Sequence, residues 1–149
     1  MPVKLLNDEI CKQIKELFDV QLDQPVEIIY FSKLIPCKEC DETHQLLEEI
    51  ISISDKLHLI AYNMDENPQL AQQYKVNLAP GLVIAGRDAD KLLDYGIRFA
   101  GIPSGYEFSS LIQAITLVSK RDSGLKSEVR SELKSLSTPV NIKVFVTPT

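Results

Sequence analysis

Ile35-Pro36-Cys37-Lys38-Glu39-Cys40 is the stretch whose reading decides the fold. It stands between two segments of different periodicity. Upstream, Val26-Glu27-Ile28-Ile29-Tyr30-Phe31 is a short apolar run, the pattern of a buried strand. Downstream, Leu46, Leu47, Ile50 and Ile51 recur at helical spacing and share one face. Two cysteines therefore sit at the first turn of a helix fed by a strand. In that setting C-x-x-C reads as a dithiol redox site.

Working outward, the pattern continues on both sides. Asn7 is placed to cap a first helix, with Asp8 and Glu9 in its first turn, where the helix dipole favours acids. That helix runs to about Phe18, and Asp23-Gln24-Pro25 breaks it before the first strand. Leu57-His58-Leu59-Ile60-Ala61-Tyr62 reads as a second strand, parallel to the first through a right-handed crossover. Asn67-Pro68 opens a short helix to Tyr74. Ala79-Pro80-Gly81 then leads into a strand, Leu82–Ala85. After a turn at 86–90, Tyr95–Gly101 returns antiparallel. Ser104 and Glu107 have capping-box spacing and start a helix that buries Phe108, Leu111, Ile112, Ile115 and Val118. This order predicts an α/β three-layer sandwich with a mixed four-stranded sheet and flanking helices.

Lys120-Arg121-Asp122-Ser123-Gly124 is short, polar and glycine-containing, so it reads as a linker. Beyond it the pattern restarts. Leu125, Val129, Leu133 and Leu136 form a helical stripe, and Pro139-Val140-Asn141-Ile142-Lys143-Val144-Phe145 repeats Pro25-Val26-Glu27-Ile28-Ile29-Tyr30-Phe31 as Pro-Val-x-Ile-x-x-Phe. We expect a complete unit over 1–119, a linker over 120–124, and the helix and strand that open a second unit over 125–149. A strand at 140–146 without the rest of its unit should pair with an edge of the first sheet or with a second copy of the chain, making a homodimer.

Bulk properties narrow the function classes. Net charge is −5 without a basic tract, which excludes the clustered Lys and Arg of a nucleic-acid surface. No apolar run is long enough for a bilayer. Acidic residues follow at once on the N-terminus, so no secretory leader is expected and the expected location is cytoplasmic. Three cysteines do not make a secreted disulfide framework. Cys11 lies among Ile10, Ile14, Leu17 and Phe18 and reads as a small core residue.

The chemistry follows from the nucleophile of disulfide exchange, which is a thiolate. Cys37, the N-terminal member, feels the positive end of the helix dipole and the unpaired N–H groups, both of which lower a thiol's pKa. Cys40 lies one turn inward and is better buried. Residues i and i+3 on a helix are ~5–6 Å apart, within disulfide range. Cys37 should attack a substrate disulfide, and Cys40 should resolve the mixed disulfide. Lys38 favours the thiolate and Glu39 opposes it, both facing solvent. Pro36 fixes φ just before the helix. The strand beneath carries no acid near the site, since Glu27 is at its far end and is expected to be exposed.

These features, with Ala79-Pro80, the stretch Tyr95-Gly96-Ile97-Arg98-Phe99-Ala100-Gly101-Ile102-Pro103-Ser104-Gly105-Tyr106-Glu107-Phe108 and the second start ending Val144-Phe145-Val146-Thr147-Pro148-Thr149, resemble the protein disulfide oxidoreductases. That family consists of glutaredoxin-like proteins built from two tandem thioredoxin-fold units. The resemblance implies a thioredoxin-like fold and disulfide exchange on protein substrates, with Cys37 attacking and Cys40 resolving. It also implies a cis Pro80 facing the cysteine pair. A cis bond there would leave the Ala79 backbone open to an extended substrate, so Pro36, Lys38, Glu39, Ala79 and Pro80 are the expected substrate contacts. Partners would be proteins with disulfides or thiols and a thioredoxin-reductase-like flavoprotein. No cofactor is expected. Gly81 departs from the pattern, because a hydroxyl-bearing residue is common there in related folds.

Three rivals stand beside this reading. Cys37, Cys40 and His44 form C-x-x-C-x-x-x-H, but a structural zinc wants a fourth ligand, so no metal site is expected. A thioredoxin-fold binding module with an inert dithiol is the second. The third is an electron-relay domain like the N-terminal part of the flavoprotein reductase that serves a peroxidase.

Overall fold

Val26–Ser32 forms strand β1, and its first six residues are buried. Such burial needs a layer on each side, and both layers are present in the computed structural model, which describes residues 3–147. Around β1 the chain runs through helix α1 (Asp8–Gln21), α2 (Lys38–Ile51), β2 (Leu57–Asn63), α3 (Pro68–Gln73), β3 (Gly81–Asp88), β4 (Lys91–Ala100), α4 (Tyr106–Lys120) and α5 (Ser127–Lys134). The sheet order is β2-β1-β3-β4. β1 pairs parallel with β2 from Val26↔Leu57 to Ser32↔Asn63, and antiparallel with β3 from Val26↔Gly86 to Phe31↔Gly81.

Strand alternation sorts β1 between two cores. Val26, Ile28 and Tyr30 face α1, α2 and α4, packing with Phe18, Leu47, Ile50, Leu111 and Ile115. Ile29 and Phe31 face the other way, with Val83, Ala85 and Ala71 of α3. The expected three-layer sandwich and mixed four-stranded sheet are thus present, with one layer of three helices and one of a single short helix.

Local signals explain most boundaries. Asn7 caps α1, its Oδ1 accepting from Ile10 N at 2.8 Å. Pro68 opens α3 at its first position. The buried Ser119 ties the end of α4 to the break before β1. Its Oγ accepts from Asp23 N (2.9 Å) and Gln24 N (3.1 Å) and donates to Gln24 O (2.7 Å). Cys11 is half-buried against the core, its thiol 3.9 Å from Leu6 O.

β4 is broken once. Ile84 pairs with Ile97, but Ala85 pairs with Asp94, so Tyr95 and Gly96 are looped out. Gly96 takes φ +80°, which suits glycine. Asp94 accepts from Gly96 N and holds Arg98 at 2.7 and 2.9 Å, and Arg98 Nε donates to Tyr74 O. The guanidinium beside it is the main cause that holds the Asp94 carboxyl below its ordinary range.

Three expectations are corrected. Glu27 is not exposed; it is buried and paired with Arg87 of β3, a partner 60 positions away that strand periodicity cannot reveal. Ser104 and Glu107 make no capping box. Gly105, at φ 60°, stands at the N-cap without a side-chain cap, and Glu107 N donates to the Ser104 carbonyl. Finally, 140–146 forms no strand with either sheet edge, and the apolar stripe of α5 is exposed. An extended segment becomes a strand only where a ladder satisfies its backbone, and among the described residues none receives it. Pro148 and Thr149 of the repeat lie outside the described residues.

Candidate active site

The site grows from the way β1 ends. Ser32 closes the strand, and Lys33 to Pro36 carry the chain across the end of the sheet into α2. This loop is pinned to the β2–α3 connection. Met64 N donates to Ser32 O (2.8 Å), and Leu34 N donates to Asp65 Oδ2 (3.0 Å). Asp65 is itself fixed by its N–H to Asn63 Oδ1 (2.9 Å).

Cys37 then takes the N-cap position of α2 with extended backbone and no side-chain cap bond. Its carbonyl receives Cys40 N at 3.0 Å and Asp41 N at 3.4 Å. Cys37 is half-buried, whereas Cys40 is 3% exposed. The two are disulfide-bonded, with Cα atoms 5.2 Å apart. Cys37 is therefore the more exposed member of the pair, and Cys40 lies in the core behind it.

The floor of the site is Tyr30. Its hydroxyl donates to Cys40 O at 2.7 Å, and its ring stacks on His44 at 5.5 Å between centroids. Burial, aided by the charge of Asp41, pushes the Tyr30 hydroxyl up to about 12, so it stays protonated. A cavity of about 300 Å³ opens between this floor and the loop, lined by Tyr30, Lys33, Cys37, Cys40, Asp41 and His44 among others.

The residues expected from the sequence divide into three sets. Cys37, Cys40 and Pro36 line that cavity. Lys38 and Glu39 lie on the outer face, where Lys38 Nζ is 3.7 Å from Glu42 and is drawn along the helix, away from the cap. Ala79 and Pro80 do not line the cavity. They reach the same end of the sheet because Gly81, which follows, pairs with Phe31. The Ala79–Pro80 bond is cis, and the carbonyl of buried Pro80 accepts from Gly101 N at 2.9 Å. Sequence reasoning missed Tyr30 and Asp65. Tyr30 shares the inward face of β1 with Ile28, a signal available from alternation alone; nothing local marks Asp65.

Other proteins are similar to this chain in sequence and fold. No family model matches the chain. The alkyl hydroperoxide reductase protein AhpF of Pseudomonas putida is 29% identical over 141 residues, 95% of this chain and 24% of that protein. The chain spans about a quarter of the length of the curated relatives it matches. Among solved structures, a protein disulfide oxidoreductase from Aeropyrum pernix superposes with a TM-score of 0.76 at 25% identity, covering 90% of this chain and 56% of that one. AhpF from Enterococcus faecalis gives 0.75 at 24% identity, covering 88% and 61%. No helix among the described residues is long and apolar enough to cross a membrane. The sheet order and these likenesses agree: the chain has a thioredoxin-like fold, with its cysteine pair at the start of α2.

Proposed function

We propose that the chain carries out thiol–disulfide exchange on protein substrates, with Cys37 as the attacking cysteine and Cys40 as the resolving one. The supporting observation is the unequal placement of two bonded sulfurs: a half-buried Cys37 at a helix N-cap and a Cys40 with 3% exposure. In the reducing direction, Cys37 thiolate attacks a substrate sulfur and expels the other as a thiolate. Cys40 then attacks Cys37, releasing the second substrate thiolate and leaving the Cys37–Cys40 disulfide. Two electrons pass to the substrate, which takes up two protons as it becomes a dithiol.

A polypeptide substrate suits the surroundings. Leu34, Ile35, Leu78 and Tyr106 are exposed apolar residues on loops or helix starts at the site's end of the sheet. With Pro36, Lys38, Glu39, Ala79 and Pro80 they would flank a bound segment. The likeness to AhpF over nearly the whole chain supports a second reading: an electron relay between a flavoprotein and a peroxidase. The two share the same cysteine chemistry and differ in partner.

The segment from 125 onward is read as the opening of a second unit, since it repeats the residues of β1. Homodimer formation through 140–146 is the competing use, and sedimentation of the full chain separates the two.

The test is dithiol-dependent reduction of insulin. Wild type should be active, Cys37→Ser inactive, and Cys40→Ser stalled as a mixed disulfide. An active Cys37→Ser would overturn the assignment, and an inactive wild type that still exchanges electrons with a thioredoxin-reductase-like flavoprotein would favour the relay.

A further inference from the structure

Resolution has a requirement that the cysteines do not meet. Cys40 must lose its thiol proton to attack, yet it is 3% exposed, so water cannot take that proton freely. The helix dipole acts first on Cys37, at the cap. An acceptor must therefore stand inside the site.

We infer that His44 is the proton acceptor for Cys40, placed by its stack on Tyr30 and by the cavity that both residues share with the cysteine pair. The inference rests on the exchange reading given above. His44 follows Cys40 by four residues in α2, so the two share one helix face, and helical side chains lean toward the N-terminus, carrying the imidazole back over Cys40. The cavity between the loop and α2 is lined by Cys37, Cys40 and His44 together. The ring lies 12° from the plane of Tyr30, which fixes its attitude. Nε2 lies 3.7 Å from the largely exposed Glu48 Oε1, so Nδ1 is the ring nitrogen not turned to that carboxylate.

The competing groups fit the task less well. The Tyr30 hydroxyl is committed to Cys40 O and stays protonated. Asp41 is exposed, and a hydrated carboxylate is a weak base for a thiol. Imidazole as a class exchanges protons in the range where thiol exchange runs. The charged groups facing His44 are Asp41 and Glu48 on α2 and Lys33 across the cavity, and β1 contributes only neutral Tyr30.

The step balances. The Cys40 S–H bond breaks and its proton moves to His44. Cys40 sulfur bonds to Cys37 sulfur as the bond from Cys37 to the substrate breaks. The imidazolium then returns its proton to the departing thiolate or to water.

The test uses the full chain with Cys11→Ala, reduced, and dithiobis(nitrobenzoate) as the substrate. Each sulfur displaced releases one coloured thiolate, so attack by Cys37 and resolution by Cys40 appear as two successive releases. In His44→Gln the first release should keep its rate. The second should slow ~100-fold at neutral pH and converge on wild type at alkaline pH, where Cys40 ionises unaided. His44→Phe, which keeps a stacking ring, should behave like His44→Gln, and free imidazole should speed the second release in His44→Ala. An unchanged second release, a loss equal at every pH, or full recovery in His44→Phe would each overturn the inference. A wild type without the first release would overturn the exchange reading itself.

Discussion

Ser119→Ala removes one oxygen from a place where three hydrogen bonds meet. Ser119 Oγ accepts from Asp23 N and Gln24 N and donates to Gln24 O, and the residue has no exposed surface. The three losses are unequal. Gln24 N keeps a second partner, the Ser119 carbonyl at 3.2 Å. Gln24 O loses only a donor, and carbonyls tolerate that better than N–H groups tolerate losing an acceptor. Asp23 N loses the side-chain oxygen at 2.9 Å. One stranded, partly buried N–H costs ~1–3 kcal/mol, so we expect a loss of about 2 kcal/mol. At ~2–4 °C per kcal/mol for a chain of this size, the melting temperature should fall by about 4–8 °C. Urea unfolding followed by circular dichroism measures it, with the slope unchanged and the midpoint lowered. Exchange activity per folded molecule should not change, because Ser119 lies at the end of α4, far along the chain from the cysteine loop. A loss below about 0.5 kcal/mol would refute the assignment of the Asp23 N–H to Ser119, since water would then be satisfying it.

Two further outcomes follow from contacts elsewhere. In Gly81→Ala the new methyl would stand 2.5 Å from Val76 Cγ1 and 2.6 Å from the Leu78 carbonyl oxygen, and the carbonyl is backbone that cannot swing aside. A loss of ~1–3 kcal/mol in urea unfolding is expected, with the Leu78–Pro80 loop displaced. Glu49 supplies a pH dependence. Burial alone would raise its carboxyl, but hydrogen bonds from Leu5 N, Gln45 and Leu6 N, with the charge of Lys4, bring it below its ordinary value. Its contribution is therefore present above the unfolded-state value and lost as pH falls through the lower folded one. Glu49→Gln should be less stable than wild type at neutral pH and flatter in a midpoint-against-pH curve through the acid range.

Much of the molecule was legible because periodicity and punctuation agree. The apolar run at Val26–Phe31, the helical stripe at Leu46–Ile51 and the breaks at Pro25, Pro68 and Pro80 fix four elements and place the cysteine pair at a helix start. What escaped depends on contacts that no local pattern encodes. Glu27 looks like an exposed acid until Arg87 is brought beside it by the β1–β3 register. The spacing of Ser104 and Glu107 suits a capping box, but Gly105 turns the chain at positive φ and takes the cap position. His44 was visible as a residue four beyond Cys40; its ring partner was not, because Tyr30 belongs to another element. The stretch 140–146 repeats β1 in sequence, yet it joins no ladder, which shows that strand composition is a condition for pairing and not its cause.

The looped-out pair Tyr95-Gly96 has a consequence for how the sheet meets other chains. β2 and β4 are its two edges, and a flat edge offers a template for a further strand. The bulge twists β4 and interrupts the regular spacing of its outward N–H and C=O groups, while Arg98 and Asp94 brace the kink against the end of α3. Growth of the sheet by strand addition is thereby discouraged along β4 and left to β2, whose register with β1 is unbroken from Val26↔Leu57 to Ser32↔Asn63. The exposed apolar stretch at 140–146 thus meets a guarded edge at β4, and β2 is the edge at which a further strand finds a regular ladder.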